Sequence, residues 1–354
     1  MDVKTTIYDI AKESGVSVTT VSRVLNNNPL VSDNTRRKVL DVVDKHQYTP
    51  NSIARAMTSK QTKTIGVILP DISNPYFSAL FLEIERFTLE QQYSVILYNT
   101  LYGGSSHGVQ SPFGEIRYLE MMRENCVDGV IVTGGQLDLS ETPAEYVAAL
   151  NNLARIMPVV VIGQHIAGCE CLFLHRNLSG GVPALVMHLA TLGHHRIGFI
   201  GGERGIRQTI SRQRAYRQTM ESLGLAIHPE DVVMSNFYTQ DGYEAMSKLF
   251  ENDSLPQAVI AINDNVAIGA IRAINDQGMR VPENIAIASC DMFAGSEFCT
   301  PRLTTLDQQN GYLGQLAIRM LMSAISDVGE GIRVKHTPQL VIRESCGAKL
   351  KDNH

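Results

Sequence analysis

The sequence predicts a small all-α helix-turn-helix head followed by an α/β body of two doubly wound parallel-sheet lobes. Three observations carry that prediction. Residues 7–26, IYDIAKESGVSVTTVSRVLN, place two short amphipathic segments on either side of Gly15. From Thr64 onward, short apolar runs alternate with helical patterns, the signature of parallel sheets covered on both faces. This alternation continues for about 290 residues, more than one hydrophobic core organises, so two lobes are expected.

In the head, Ile7, Ile10 and Ala11 fall at i, i+3, i+4, and Val18, Val21, Val24 and Leu25 repeat the pattern. Gly15 can turn the backbone through positive φ without a Cβ penalty, and Ser17 suits the N-cap of the second helix. Ala11 is small where the helices cross, and Val21 plugs the angle between them. The second helix keeps a polar face of Thr19, Thr20, Ser22 and Arg23, side chains able to reach base edges in a major groove. Asn28 and Pro29 break the pattern. Ser32 caps a third helix over 34–46, whose Val39, Leu40, Val42 and Val43 complete a three-helix core. Tyr48 and Pro50 end it. Residues 51–58, NSIARAMT, open on Asn51 as N-cap and carry Ile53, Ala54, Ala56 and Met57. That is too short a helix to stand alone in water, so it reads as a coupling element, with 59–63 as a polar tether.

In the body, strands are expected at 65–69, 94–98, 129–132, 159–162, 197–200, 258–262, 285–288 and 340–342, with a helix from 76 to about 92. The division follows: head 1–50, helix and linker 51–63, first lobe 64–162 plus 292–326, second lobe 163–291 plus 327–346, and tail 347–354. A ligand belongs between the lobes, beyond the carboxyl ends of the strands. Residues 101–112, rich in Gly and Ser, read as a surface loop with no chemistry assigned to His107.

Charge supports the division. Residues 1–60 carry nine Lys/Arg against six acids, a balance of +3, while the whole chain stands at −5. A basic head on an acidic body suits phosphate contact by the head. No apolar leader opens the chain and no run reaches membrane-span length, so a cytoplasmic protein without membrane contact is expected. The six cysteines lack zinc or disulfide-scaffold spacing, which leaves free thiols. Nucleophile-elbow, HExxH and P-loop patterns are absent, and His194-His195 lacks the spacing of a helical metal pair. Neither an enzyme nor a cofactor is expected.

Read in order, IYDIAKESGVSVTTVSRVLNN, VSDNTRRKVLDVV, YTPNSIARAM, TIGVILPDISNPYF, VDGVIV, LGHHRIGFIGG, PQAVIAINDNVAIGAIRAI, VPENIAIASCD and PRLTTL resemble the lactose/galactose repressor (LacI/GalR) family of bacterial transcription regulators. The resemblance spans residues 6–345. It implies a body like periplasmic sugar-binding proteins and a homodimer whose heads read two half-sites of a pseudo-palindromic double-stranded operator. Val18, Thr19 and Arg23 match the base-reading positions. Tyr8, Thr20, Ser22 and Asn26 match phosphate contacts, and Ser17, Asn51 and Ala54 complete the DNA-facing set. Met57 stands where relatives carry a leucine that pries open the central base step.

The same resemblance puts Arg212 and Asp291 at the ligand-anchoring positions, where a guanidinium facing a carboxylate can clamp vicinal hydroxyls. Asn263 and Asp264 come from the loop after strand 258–262. Asp71, Asn74 and Phe77 come from the matching loop of the first lobe. Each also has an ordinary alternative as helix cap or surface group. The implied effector is a small molecule, a sugar or sugar derivative, that changes operator affinity.

Two departures stand out. His175-Arg176-Asn177 replaces the Asp-Asn common among relatives, adding a cation that favours a phosphorylated or acidic effector. Ser289-Cys290 replaces a Gly-aromatic pair, which loosens packing beside the cleft; Cys290 there is either an oxidant sensor or a buried structural thiol. The residues after Ser345 are too few and too polar for a tetramerising heptad helix. A dimer is therefore expected, joined largely through the helix starting near Pro75. Two other readings are open: control by a phosphocarrier protein, and a sugar receptor with no DNA role.

Overall fold

The computed structural model describes residues 5–25, 28–48, 61–101, 114–177, 179–328 and 337–348. It divides into two units, Met1–Thr62 and Lys63–His354.

The first unit holds α1 (Ile7–Ser14), α2 (Val18–Leu25) and α3 (Asp33–Lys45). Asp9 Oδ2 accepts from the Thr6 backbone N–H at 2.9 Å and from its hydroxyl at 2.7 Å, fixing the start of α1. Gly15 ends α1 at φ +66°, in the left-handed region that a glycine enters without strain. Ser17 Oγ then accepts from Thr20 N at 3.1 Å, so α2 begins one turn after α1 stops. Ser32 caps α3 through Thr35 N. Ile10, Ala11, Val21, Val24 and Val39 form the buried centre, with Val42 and Val43 packed at its margin. Leu40, expected in that core, is 40% exposed, because it lies one residue past Val39 and faces away from α1 and α2. Residues 49–60, which include Asn51, Ala54 and Met57, lie outside the described residues, as do Asn26 and residues 102–113, which hold most of the stretch expected as a loop over 101–112.

The second unit contains two parallel sheets. The first runs β2-β1-β3-β4-β5, from β1 (Thr64–Leu69), β2 (Ser94–Asn99), β3 (Gly129–Thr133), β4 (Val159–Gly163) and β5 (Leu172–His175). Its inner strands are apolar throughout because both faces are covered. Ile65, Val67 and Leu69 face α4 (Pro75–Glu90) and α11 (Asn310–Ile325). Ile68, Val130 and Val132 face α5 (Glu115–Glu124) and α6 (Ala144–Ala154). The second sheet runs β7-β6-β8-β9, from β6 (Ile197–Ile200), β7 (Val232–Val233), β8 (Ala258–Ala261) and β9 (Ala286–Ser289). It shares one core with α7 (Val182–Thr191), α8 (Arg207–Ser222), α9 (Thr239–Leu249) and α10 (Asp264–Asp276).

Two expectations need correction. β5 pairs in parallel with β4, Val160 opposite Leu172 through Gly163 opposite His175, so the first-lobe sheet continues beyond the expected boundary at 162/163. The four residues LFLH are too short and mixed to signal a strand, and only pairing reveals them. The strand expected at 340–342 is β11 (Gln339–Val341), which runs antiparallel to β10 (Thr305–Asp307) rather than within either parallel sheet. These two strands belong to the segments that connect the lobes: α11, between them in sequence, packs on the first sheet.

Candidate functional site

The head presents a polar surface built by helical periodicity. Thr19 and Arg23, four residues apart, are exposed on one face of α2, and Thr20 and Ser22 flank them half-buried. Tyr8, on α1, is 72% exposed. Arg23 enters no ion pair among the described residues. Ser17 and Thr20 hold each other, hydroxyl to hydroxyl, at 2.9 Å, so both are tied to the start of α2. Val18 leans against the head core with part of its side chain outward.

In the body, a cavity of about 470 Å³ opens between the sheets. Asp71, Asn74 and Phe77 line it from the first lobe, and Asn263 and Asp291 from the second. Phe77 meets Tyr76 edge-on at 4.9 Å. Asn74 also caps α4, its Oδ1 accepting from Tyr76 N at 3.0 Å, and Pro75 takes the first helical position. Asn263 caps α10 through Val266 N and donates to Phe237 O at 2.9 Å. For these two residues the ordinary role and a place on the cavity wall coexist.

Arg212 is wholly buried. Its Nη1 donates to Ile262 O at 2.6 Å and its Nη2 to Asp291 Oδ2 at 3.1 Å. Asp291 takes a second cation on the same oxygen, Arg176 Nη2 at 3.4 Å, while its Oδ1 has no hydrogen-bond partner among the described residues. The Arg176 guanidinium lies 3.9 Å over the Tyr76 ring, and its charged form is favoured by Tyr76, Asp291 and Asp138 despite burial. Burial pushes the Tyr76 hydroxyl up to about 12. The lobes also join directly across the cleft. Tyr238 donates its hydroxyl to Asp71 Oδ2 at 2.5 Å, Arg207 Nε donates to Leu139 O at 2.6 Å, and Ser140 N donates to Gly205 O at 2.7 Å.

Three expectations fail here. Asp264 does not face the cleft: it is fully buried and accepts from the hydroxyls of Ser289 and Thr305 and from Phe293 N. As the first residue of α10 it points back towards β9 and β10, and burial raises its carboxyl to about 6. Arg176 adds no free cation for an acidic effector, since it is 5% exposed and held by Asp291 and Tyr76. Ser289 and Cys290 do not loosen the packing; both are fully buried. Burial pushes the Cys290 thiol up to about 12, which suits a structural residue and not an oxidant sensor.

Sequence reasoning missed Glu115, Asp138, Gln208, Tyr238 and Phe293, all on the cavity wall. Glu115 opens α5 immediately after the Gly/Ser-rich loop, the one local signal that could have drawn notice. Tyr238 carries none. Among the described residues no group of three or more His, Cys, Asp or Glu side chains could hold a metal.

Residues 6–51 match the family profile of bacterial regulatory proteins of the lacI family, and residues 186–346 match a periplasmic binding protein-like domain. A transcriptional repressor, PurR of Haemophilus influenzae (strain PittEE), is 34% identical over 98% of this chain and 99% of its own length. The transcriptional regulator DegA of Bacillus subtilis (strain 168) is 33% identical over 97% of this chain and 98% of its own. Among solved structures, the lac repressor dimer bound to operator and the anti-inducer ONPF superposes with a TM-score of 0.82 at 23% identity, covering 97% of this chain and 99% of that one.

The chain belongs to the lacI family of bacterial regulatory proteins. It is a DNA-binding transcriptional repressor of that family, and not an enzyme.

Proposed function

We propose that this repressor works in the cytoplasm as a homodimer whose grip on a pseudo-palindromic operator changes when a small molecule, a sugar or sugar derivative, fills the cavity between the lobes. The observation that carries the reading is the cavity itself. It has the volume of a small-ligand site, combines aromatic walls with convergent polar groups, and contains a buried carboxylate oxygen of Asp291 without a hydrogen-bond partner among the described residues. Arg212, Asp291, Asn263, Asp71, Asn74 and Phe77 form its anchoring set, with Arg212 acting by holding Asp291 in place.

On the head, Val18, Thr19 and Arg23 read bases, while Tyr8, Thr20 and Ser22 set register on phosphates. A ligand changes operator affinity only through unequal affinity for two arrangements of the lobes. The cross-cleft bonds of Asp71 with Tyr238 and of Arg207 with Leu139 are the contacts that such a change would make or break. The dimer reading is supported by the described dimer of the lac repressor, whose fold this chain shares.

The test is a melting-shift screen of the full chain against sugars, sugar phosphates and nucleobases, repeated with Arg212→Ala, followed by operator titration with each hit. A hit that stabilises the native chain, is lost in Arg212→Ala and moves operator affinity supports the reading. Hits that bind both proteins equally would place the ligand elsewhere.

A further inference from the structure

We infer that the effector carries a protonated amine, and that Glu115 is the residue that receives it. The inference rests on the cavity being the effector site and adds the chemical class of what enters. Every charged side chain on the described wall of the cavity is a carboxyl: Asp71, Glu115, Asp138, Glu203 and Asp291. No lysine, arginine or histidine lines it among the described residues. The arginines nearby are engaged within the protein, Arg212 with Ile262 O and Asp291, Arg176 with Asp291 and the Tyr76 ring, Arg207 with Leu139 O. Arg176 and Arg212 are spent on Asp291, so an anionic ligand would meet carboxyls with no cation turned towards it among the described lining residues, whereas a cation would find acceptors there.

Glu115 is the built element of this wall. It is 4% exposed, its Oε1 accepts from Thr100 Oγ1 at 3.0 Å, and its Oε2 accepts from Gln136 N at 2.9 Å. Gly135, which turns at φ +62°, leaves room for this seat, since a Cβ there would collide with the Glu115 carboxyl as placed. Among the described residues, nothing cationic faces the carboxyl. Burial pushes Glu115 up to about 7, and the one charged group among the described residues that acts on it is Asp138, a like charge. Each carboxylate oxygen accepts more than one hydrogen bond, so both can take a donor from the cavity while keeping Thr100 and Gln136. A buried carboxyl without a counter-ion is costly, and a ligand cation removes that cost.

A second observation points the same way. Asp291, 1% exposed on the second-lobe wall, holds Arg176 and Arg212 on Oδ2 and leaves Oδ1 with no hydrogen-bond partner among the described residues. The same cavity is lined by the aromatic side chains of Phe77, Phe237, Tyr238 and Phe293, and a ring face attracts a cation as readily as it covers an apolar ligand surface. The other titratable groups around the space are Asp71, held by Tyr238, and Glu203; Arg176 and Arg207 act on Asp138. With Glu115 titrating near neutrality, amine binding is coupled to loss of its proton, and affinity rises between pH 6 and pH 8.

The test uses the full chain and matched ligand sets, in which each sugar scaffold is offered in neutral, amino, acid and phosphate forms, with simple amines and nucleobases alongside. Melting shift finds binders and calorimetry measures them at pH 6 and pH 8. The expected result is that the tightest binder carries an amine, gains on the order of tenfold in affinity from pH 6 to pH 8, and loses at least that much in Glu115→Gln. If the Gln variant melts early without ligand, the pH slope of the native chain decides instead. A tightest binder that is neutral or anionic overturns the inference while leaving the effector cavity intact, as does an affinity that falls with rising pH, the sign of a protonated Glu115 donating to a ligand oxygen. A panel in which no compound binds overturns the effector reading and this inference together.

Discussion

The head and the cavity solve opposite problems with charged and polar residues. On α2, Thr19 and Arg23 stand exposed to solvent with no side-chain hydrogen bond or ion pair among the described residues, ready for a partner that is itself charged and hydrated. In the cleft, Arg212, Arg176 and Asp291 are buried and already bonded to one another, and what remains for a ligand is one oxygen of Asp291 and a wall of carboxyls. The lesson is that an exposed reader can be substituted with loss of recognition alone, whereas a buried anchor carries fold and recognition at once.

Arg212→Ala should break that contrast most visibly. It leaves Asp291 in the interior with Arg176 as its remaining arginine, at 3.4 Å, and frees Ile262 O, so a loss of about 3–5 kcal/mol is expected on chemical denaturation. A variant as stable as the native chain would mean that the ion pair is not the closed, buried contact described here.

Glu115 sharpens the contrast through pH. Its folded carboxyl, near 7, lies above the ordinary 4.5, so the folded chain holds a proton that the unfolded chain has released. The stabilisation is complete below about 4.5 and is lost as pH rises through about 7, a change of about 3 kcal/mol across the window. Glu115→Gln should flatten the denaturation free energy between those limits, while the similar but lower contribution of Asp264, near 6, persists. An unchanged slope would remove Glu115 as its source.

The head responds on a smaller scale. Gly15→Ala forces a side chain into left-handed backbone and should cost about 1–2 kcal/mol. Ser17→Ala removes the cap on Thr20 N and should cost about 1 kcal/mol. Both are read from thermal melting of the head transition, and a neutral Gly15→Ala would argue that the turn relaxes.

The same contrast decides what could be read from sequence. Ile10, Ala11, Gly15, Ser17 and Val21 act on neighbours within one or two turns, so spacing alone placed the helices and their caps. Strands β1, β3 and β4 were legible because burial on both faces leaves uninterrupted apolar runs. β5 was not, since an edge strand of four residues is defined by its pairing with β4. In the cleft, a residue's role depends on partners far away in the chain. Arg176 meets Asp291 and Tyr76, and Asp264 meets Ser289 and Thr305, contacts that no local pattern announces. Arg176 looked like a free cation and Asp264 like a cleft acid for that reason.

The most direct test of a sequence-reading head is selection from a random duplex pool by the full chain and by Arg23→Ala. The native chain should enrich two related half-sites arranged as a pseudo-palindrome. The variant should keep its stability but lose about 1–3 kcal/mol of discrimination at one guanine in each half-site. Enrichment of the same sequences to the same degree by both proteins, or of none by either, would contradict the account.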